Sequence, residues 1–136
     1  MHLLLEADPS EKNIKEYLTG SLCYLVMKSD ETLGVCVLNR IEDSVLELYN
    51  IAVCSNRQKQ GIGTALLRHV IREAKAKGFK RVELGTGTFG YQLRFYQRAG
   101  FRVVGIVPDF FVDNYDEPIF ESGIQLKDML RLALVL

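Results

Sequence analysis

The chain lacks an excess of charge of either sign, since its 136 residues contain 17 Lys and Arg against 17 Asp and Glu. A protein that binds nucleic acid or an anionic membrane mainly through electrostatics needs a basic surplus or patch, so neither partner is predicted. The chain also lacks apolar runs long enough to span a bilayer, and its start, "MHLLLEADPSEK", has no basic segment and no small-residue cleavage site. These absences predict a cytoplasmic protein without a membrane segment.

Cysteine is scarce, with only Cys23, Cys36 and Cys54. Their odd number does not suit a disulfide framework, and their spacing matches no metal-ligand pattern. All three lie in apolar, strand-like contexts, where a reduced thiol packs as a small hydrophobic side chain. No metal site is predicted.

The residues that are present fit one globular domain over residues 1–136, because 48% of them are hydrophobic. Periodicity and turn signals predict a strand at 3–7, a helix at 11–20 capped by Ser10, strands at 22–28, 33–41 and 44–53, a helix from about Gly61 to Gly78, a strand at 81–87, a helix at 91–99, a strand at 101–107 and a final strand or strand pair at 123–136. The three consecutive strands predict an antiparallel meander. The whole order predicts a mixed sheet with helices packed on it.

The segment "RQKQGIGTALLRHV" places two glycines, Gly61 and Gly63, at the start of the long predicted helix. The first backbone amides of a helix have no partner within it, and the helix dipole adds roughly half a positive charge there. Glycines allow a bulky anion to approach the backbone, while Gln58, Lys59 and Gln60 add side-chain donors. The segment therefore predicts an anion site, although the glycines alone are equally compatible with a flexible strand-to-helix turn.

Two other phosphate-binding motifs fit this segment less well. A P-loop requires a lysine directly after its last glycine, and none follows Gly63. A Rossmann site is favoured by Glu83, which lies about 20 residues further on. It is opposed by Leu66 in place of the third glycine, by the long connection at residues 54–60, and by the meander upstream.

Two motifs resemble those of the GCN5-related N-acetyltransferases (GNAT), from about Leu33 to the C-terminus. The first reads Gln58-x-x-Gly61-x-Gly63 after the strand "LELYNIAV", and the second is "FYQRAGF". The resemblance implies a central mixed, mostly antiparallel sheet with splayed strands and helices packed on both faces, and acetyl-CoA as co-substrate. It also implies that the first motif binds the CoA pyrophosphate and that the preceding strand pairs with the pantetheine arm. The implied cofactor-binding residues are Ile51, Ala52, Val53, Gln58, Lys59, Gln60, Gly61, Ile62, Gly63 and Thr64.

The resemblance also implies two catalytic residues. Tyr96, in the second motif, matches the family's general acid, and an acid of pKa ~10 is suited to protonate a departing CoA thiolate. The alternative is a core aromatic side chain on an amphipathic helix. Glu47 lies at the spacing where some protein-acetylating relatives have a glutamate that accepts the proton of the amine. The alternative is a solvent-facing glutamate in an alternating strand.

The site for the acetyl acceptor departs most from the family pattern. Phe89 and Gln92 replace the family's Asn and Ala, so a side-chain contact to CoA is expected from Thr86 or Thr88 instead. The loop within residues 103–126 contains five acids, four aromatics and no Lys or Arg. It is either a solvated acidic loop or a site that attracts a cationic amine such as a polyamine, an aminosugar or a basic peptide. The candidate acceptor-binding residues are Asp113, Tyr115, Asp116 and Glu117.

The function that these residues favour is transfer of an acetyl group from acetyl-CoA to a small-molecule or peptide amine, by direct attack in a ternary complex. A non-catalytic module that binds or senses acyl-CoA is the alternative, and a nucleotide-dependent oxidoreductase is a distant third. The apolar C-terminal "LRLALVL" either completes the sheet of its own chain or pairs with a second subunit in a homodimer.

Overall fold

The computed structural model describes residues 12–18, 22–28, 31–53 and 61–136, with side chains described for residues 33–53 and 61–136. The predicted strand at 3–7, the cap at Ser10, and the candidate residues Gln58, Lys59 and Gln60 lie outside the described residues. Contacts between Cα atoms divide the chain into two compact units. The first comprises Met1–Val82 with Val135–Leu136, and the second comprises Glu83–Leu134.

The first unit contains the predicted antiparallel meander. Its strands are β1 (Lys12–Leu18), β2 (Leu22–Lys28), β3 (Glu31–Glu42) and β4 (Val45–Val53), hydrogen-bonded in that order. All three pairings are antiparallel, with Leu25 of β2 opposite Val35 of β3 and Cys36 of β3 opposite Ile51 of β4. The prediction of three consecutive antiparallel strands is confirmed.

The predicted helix at 11–20 is wrong, because residues 12–18 form strand β1. Every residue of β1 pairs with β2, from Lys12 opposite Lys28 to Leu18 opposite Leu22. The helical prediction rested on Ile14, Tyr17 and Leu18, but isoleucine and tyrosine also favour strands. In a segment this short, hydrogen bonds to a neighbouring strand outweigh a weak helical period.

Helix α1 (Ile62–Ala76) is the predicted long helix, with Gly61 as its N-cap. Its apolar stripe contains the buried residues Ile62, Leu66, Leu67, Val70 and Ala74, together with Ile71, which is half-buried. The stripe packs on β3 and β4, whose buried side chains include Leu33, Cys36, Leu38, Leu46 and Leu48. Burial of this stripe, more than helix propensity, stabilises the helix.

Gly78 ends α1 as predicted. Its φ of +90° is in the left-handed region, and its amide donates to the carbonyl of Lys75 at 3.1 Å. The amide of Phe79 donates to the carbonyl of Ala74, also at 3.1 Å. This pair of bonds is a Schellman motif, which satisfies carbonyls that the helix end leaves without partners.

The second unit contains the remaining elements. They are β5 (Arg81–Gly87, from Glu83 onward in this unit), α2 (Tyr91–Arg98), β6 (Arg102–Val107), α3 (Phe110–Asp113), β7 (Ile119–Glu121), β8 (Ile124–Leu126) and β9 (Met129–Val135). Strand β9 lies between β5 and β6 and pairs antiparallel with β6, where Val107 is opposite Met129. The C-terminal segment therefore completes the sheet of its own chain. The predicted mixed α/β architecture, with mostly antiparallel strands and helices, is confirmed.

The prediction of one loop between the last strands is wrong, because that segment contains α3 and the hairpin of β7 and β8. The hairpin turns at Ser122 and Gly123, which both have positive φ, at 52° and 79°. Glu121 is opposite Ile124 across this turn, as expected for a two-residue turn of type I′. Strands β8 and β9 are the strand pair predicted at 123–136. Helix α3 and strand β7 have only four and three residues, which is too short to show a hydrophobic period, so the sequence pattern did not reveal them.

Candidate functional site

The N-terminus of α1 provides a site for an anion in the first unit. Gly61 has φ of 75° and ψ of 11°, no side chain among the residues that the structure describes caps the helix, and its first turn contains no acid. The amide of Ala65 donates to the carbonyl of Gly61 at 3.0 Å, so the amides of Ile62, Gly63 and Thr64 have no acceptor within the helix. A Cβ added at Gly61 would meet no atom of the described residues within 4 Å. Within the described part of the chain, this helix end is thus open, positively polarised and without an acidic side chain in its first turn.

Strand β4, in the same unit, contains the other candidate residues that precede the helix. Its first residues are largely buried, whereas from Tyr49 to its end each residue is exposed or half-buried. Glu47 is half-buried and lies opposite Asn39. Ile51 and Val53 are half-buried, and Ala52 between them is exposed. The end of β4 is therefore the accessible part of the strand.

Tyr96 lies in an aromatic cluster of the second unit. Its side chain is 5% exposed, and its ring meets the rings of Phe95 and Phe101 edge-on, with centroids 5.3 Å and 5.8 Å apart. Phe95 is half-buried and stacks on Tyr91 at 6.2 Å. Adjacent helical residues point about a quarter-turn apart, and this difference in burial follows from that geometry. The aromatic contacts fix the position of the Tyr96 ring.

The four candidate acceptor-binding residues lie on the surface of the second unit. Asp113, Tyr115, Asp116 and Glu117 are all exposed. The Tyr115 ring stacks on Phe111 with centroids 6.0 Å apart. The side chains of the three acids are therefore accessible to solvent.

A pocket in the second unit is lined by other residues. Its volume is about 340 Å³, and its lining is Thr88, Phe89, Ile124, Gln125, Lys127 and Asp128. None of the four predicted acceptor-binding residues lines it. In the sequence, Thr88 is an expected contact to CoA and Phe89 is a departure from the family motif, whereas the other four were missed. The absence of Lys and Arg from residues 103–126 could have drawn attention to Lys127, the cation that directly follows that segment.

The two threonines expected to contact CoA differ in exposure. Thr86 is 4% exposed and is the buried polar residue of β5. Thr88 is exposed at the pocket. Of the two, Thr88 is therefore the one accessible to a ligand.

Within the described ranges, no group of three or more His, Cys, Asp and Glu side chains is placed to hold a metal ion. In the same part of the chain, no helix is both long enough and apolar enough to cross a bilayer.

Comparison with known proteins identifies one family. The profile described as "Acetyltransferase (GNAT) family" matches residues 3–101. Among curated proteins, the uncharacterized N-acetyltransferase YvbK of Bacillus subtilis is 46% identical over 133 residues, which is 97% of this chain and 86% of that protein.

Solved structures agree with this match. A GNAT family acetyltransferase from Elizabethkingia anophelis with acetyl-CoA bound is 44% identical, with a TM-score of 0.82 over 88% of this chain and 79% of that one. A Bacillus subtilis acetyltransferase in complex with CoA is 45% identical, with a TM-score of 0.82 over 88% of this chain and 80% of that one. Both the fold and the sequence motifs thus point to the same group of proteins.

Proposed function

The chain belongs to the GNAT acetyltransferase family and uses acetyl-CoA as co-substrate, and we propose that it acetylates a primary amine by direct attack in a ternary complex. The amine nitrogen attacks the thioester carbonyl carbon, a C–N bond forms, and the C–S bond breaks. The nitrogen loses one proton and the departing CoA thiolate gains one. The reaction therefore needs a base, an acid and a binding site for CoA.

The open end of α1 is the observation that best supports the binding of CoA. Its amides and dipole favour a pyrophosphate, and Gly61 leaves space for it. We assign the pantetheine arm to the accessible end of β4, with main-chain contacts from Ile51 and Val53 and a flanking contact from Ala52. Gln58, Lys59 and Gln60 complete the motif in the sequence.

Tyr96 is the proposed acid that protonates the CoA thiolate. Its ring is held by aromatic neighbours. A hydroxyl on a ring held in place can donate its proton without first having to reorient the side chain. Tyr96→Phe removes the hydroxyl but keeps the ring, so we expect kcat to fall about 100-fold or more. Affinity for acetyl-CoA should stay unchanged in calorimetry.

Tyr91→Phe is the matched control, because Tyr91 is on the same helix and 60% exposed. It should keep wild-type kcat. Wild-type kcat in Tyr96→Phe, with CoA binding intact, would mean that Tyr96 is only a core aromatic residue.

Glu47 is the proposed base, acting directly or through a water molecule. It is half-buried on β4, the strand to which we assign the pantetheine arm. Glu47→Gln keeps the shape of the side chain and removes its basicity, so we expect kcat to fall about 100-fold. Glu42→Gln, at an exposed residue that ends β3, is the control and should retain activity. Equal kcat in the two variants would exclude Glu47 as the base.

The proposal also covers the chemical class of the acceptor and the location of the enzyme in the cell. The exposed acids Asp113, Asp116 and Glu117, with Tyr115, would raise the local concentration of a cationic amine. We place the enzyme in the cytoplasm.

A further inference from the structure

The pocket of the second unit has the dimensions of a small-molecule site. Its volume of about 340 Å³ falls in the range of ligand pockets, about 300 to 1,000 Å³. Its lining comes from three places in the chain: the two residues that follow β5, strand β8, and the link between β8 and β9. Strands and short links of this kind place side chains more precisely than long loops do.

The lining combines three kinds of chemistry. Phe89 and Ile124 provide apolar surface, while Thr88 and Gln125 provide hydrogen-bond donors and acceptors. Lys127 and Asp128 provide one charge of each sign. A pocket with one cation and one anion is complementary to a ligand that has both charges close together.

Asp128 already accepts a hydrogen bond within the protein through one carboxylate oxygen. Its Oδ1 accepts a hydrogen bond from the amide of Asp109 at 2.9 Å. A carboxylate has about four lone-pair sites, so the other oxygen retains capacity for a ligand. The bond to Asp109 also restricts the rotation of the Asp128 side chain, which orients that second oxygen.

Lys127 is the cation of this lining. Among the described residues, no carboxylate forms an ion pair with its ammonium group, and the lining includes no second base. Its own carbonyl accepts a hydrogen bond from the amide of Phe111 at 2.9 Å, which fixes the backbone at this position. The ammonium group of Lys127 therefore extends from a fixed backbone and can form a charge-assisted hydrogen bond to a ligand carboxylate.

We infer that this pocket binds an acceptor with a carboxylate, and that the acceptor is an α-amino acid or a zwitterion of similar size. Lys127 pairs with the carboxylate, Asp128 with the ammonium group, and Phe89 and Ile124 contact an apolar side chain. This inference rests on the proposed acetyl transfer. It narrows the proposal of a cationic acceptor to a zwitterion. The exposed acids attract the ammonium end of an amino acid, whereas a polyamine would place a second cation against Lys127.

The test compares matched acceptors, namely phenylalanine with phenethylamine and leucine with isoamylamine. The two members of each pair differ only in the carboxylate. The wild type should acetylate the amino acid with the higher kcat/KM. Lys127→Gln should lower kcat/KM for the amino acids about 10- to 100-fold through KM, as expected for loss of one hydrogen bond to a charged group.

The same variant should leave kcat/KM for the two decarboxylated amines and KM for acetyl-CoA unchanged. Lys75→Gln, in the exposed last turn of α1, is the control and should match the wild type throughout. Equal use of both members of each pair by the wild type, or an equal loss for both in Lys127→Gln, would overturn the inference.

Acetylation of the amines, together with binding of the amino acids, distinguishes a failure of this inference from a failure of the proposed function. If the decarboxylated amines are acetylated and the amino acids are not, acetyl transfer stands and the carboxylate site is wrong. If no amine is acetylated, the amino acids are titrated into the CoA-loaded protein by calorimetry. Binding that Lys127→Gln abolishes then supports the site without the reaction, and absence of binding overturns it.

Discussion

Valine at Gly61 tests the anion site, and valine at Gly78 provides its control on the same helix. The two glycines lie at opposite ends of α1 and both have left-handed backbones, with φ of +75° and +90°. A Cβ at either position meets no atom within 4 Å in residues 33–53 and 61–136, for which side chains are described. The left-handed conformation costs an L-residue roughly 1–2 kcal/mol, and a β-branched residue at least that much. Both variants should therefore lose about the same stability in urea unfolding.

Affinity for CoA should separate the two variants. Only the side chain at Gly61 occupies the space assigned to the pyrophosphate, and each charge-assisted hydrogen bond lost there is worth about 1.5–3 kcal/mol. Gly61→Val should therefore raise the Kd for CoA about 10- to 100-fold in calorimetry, while Gly78→Val keeps the wild-type Kd. Equal Kd values in both variants, whether unchanged or raised together, would refute the assignment of the pyrophosphate to this helix end.

Two further predictions concern the second unit. Neutralising Asp113, Asp116 and Glu117 together should raise KM for a cationic acceptor and leave acetyl-CoA affinity unchanged, and the effect should shrink with salt because exposed charges are screened beyond about 8–10 Å. Wild-type KM at low salt would make these acids a solvated surface only. Gly85→Ala should destabilise the protein by about 1–3 kcal/mol in urea unfolding, because its Cβ would collide with the buried side chain of Met129. Gly105→Ala, in β6, is the control, because its Cβ would make only an ordinary contact at 3.8 Å. An equal loss of stability in Gly105→Ala would contradict the explanation.

Local signals predicted the elements that have strong periods and caps. Helix α1 combines a complete apolar stripe with a glycine at each end, and both ends fall where the sequence places them. The meander strands are apolar runs rich in strand-favouring residues and are separated by polar turns, so the sequence predicted their order and type. Strand β1 was not, because Ile14 and Tyr17 recur at helical spacing although both residue types also favour strands, and only the pairing with β2 decides between the two structures.

The pocket was not predictable from any local signal. Its two halves, at Thr88 and Phe89 and at residues 124–128, are separated by more than thirty residues of sequence. They meet because β9 lies beside β5 and because Ser122 and Gly123 turn the hairpin back. A sequence reveals residue types, whereas proximity of distant segments depends on strand pairing that no single segment specifies. The acids at 113–117 attracted attention because they are adjacent in sequence, yet they do not line the pocket.

Amine-dependent release of CoA thiol is the measurement that tests acetyl transfer most directly. The purified protein is mixed with acetyl-CoA and a panel of primary amines that includes amino acids, their decarboxylated forms and polyamines, and the products are identified by mass spectrometry. We predict thiol release that requires both protein and amine, with one N-acetylated product formed for each thiol released. Tight binding of acetyl-CoA without amine-dependent release for any member of the panel would contradict the account and favour a module that only binds acyl-CoA.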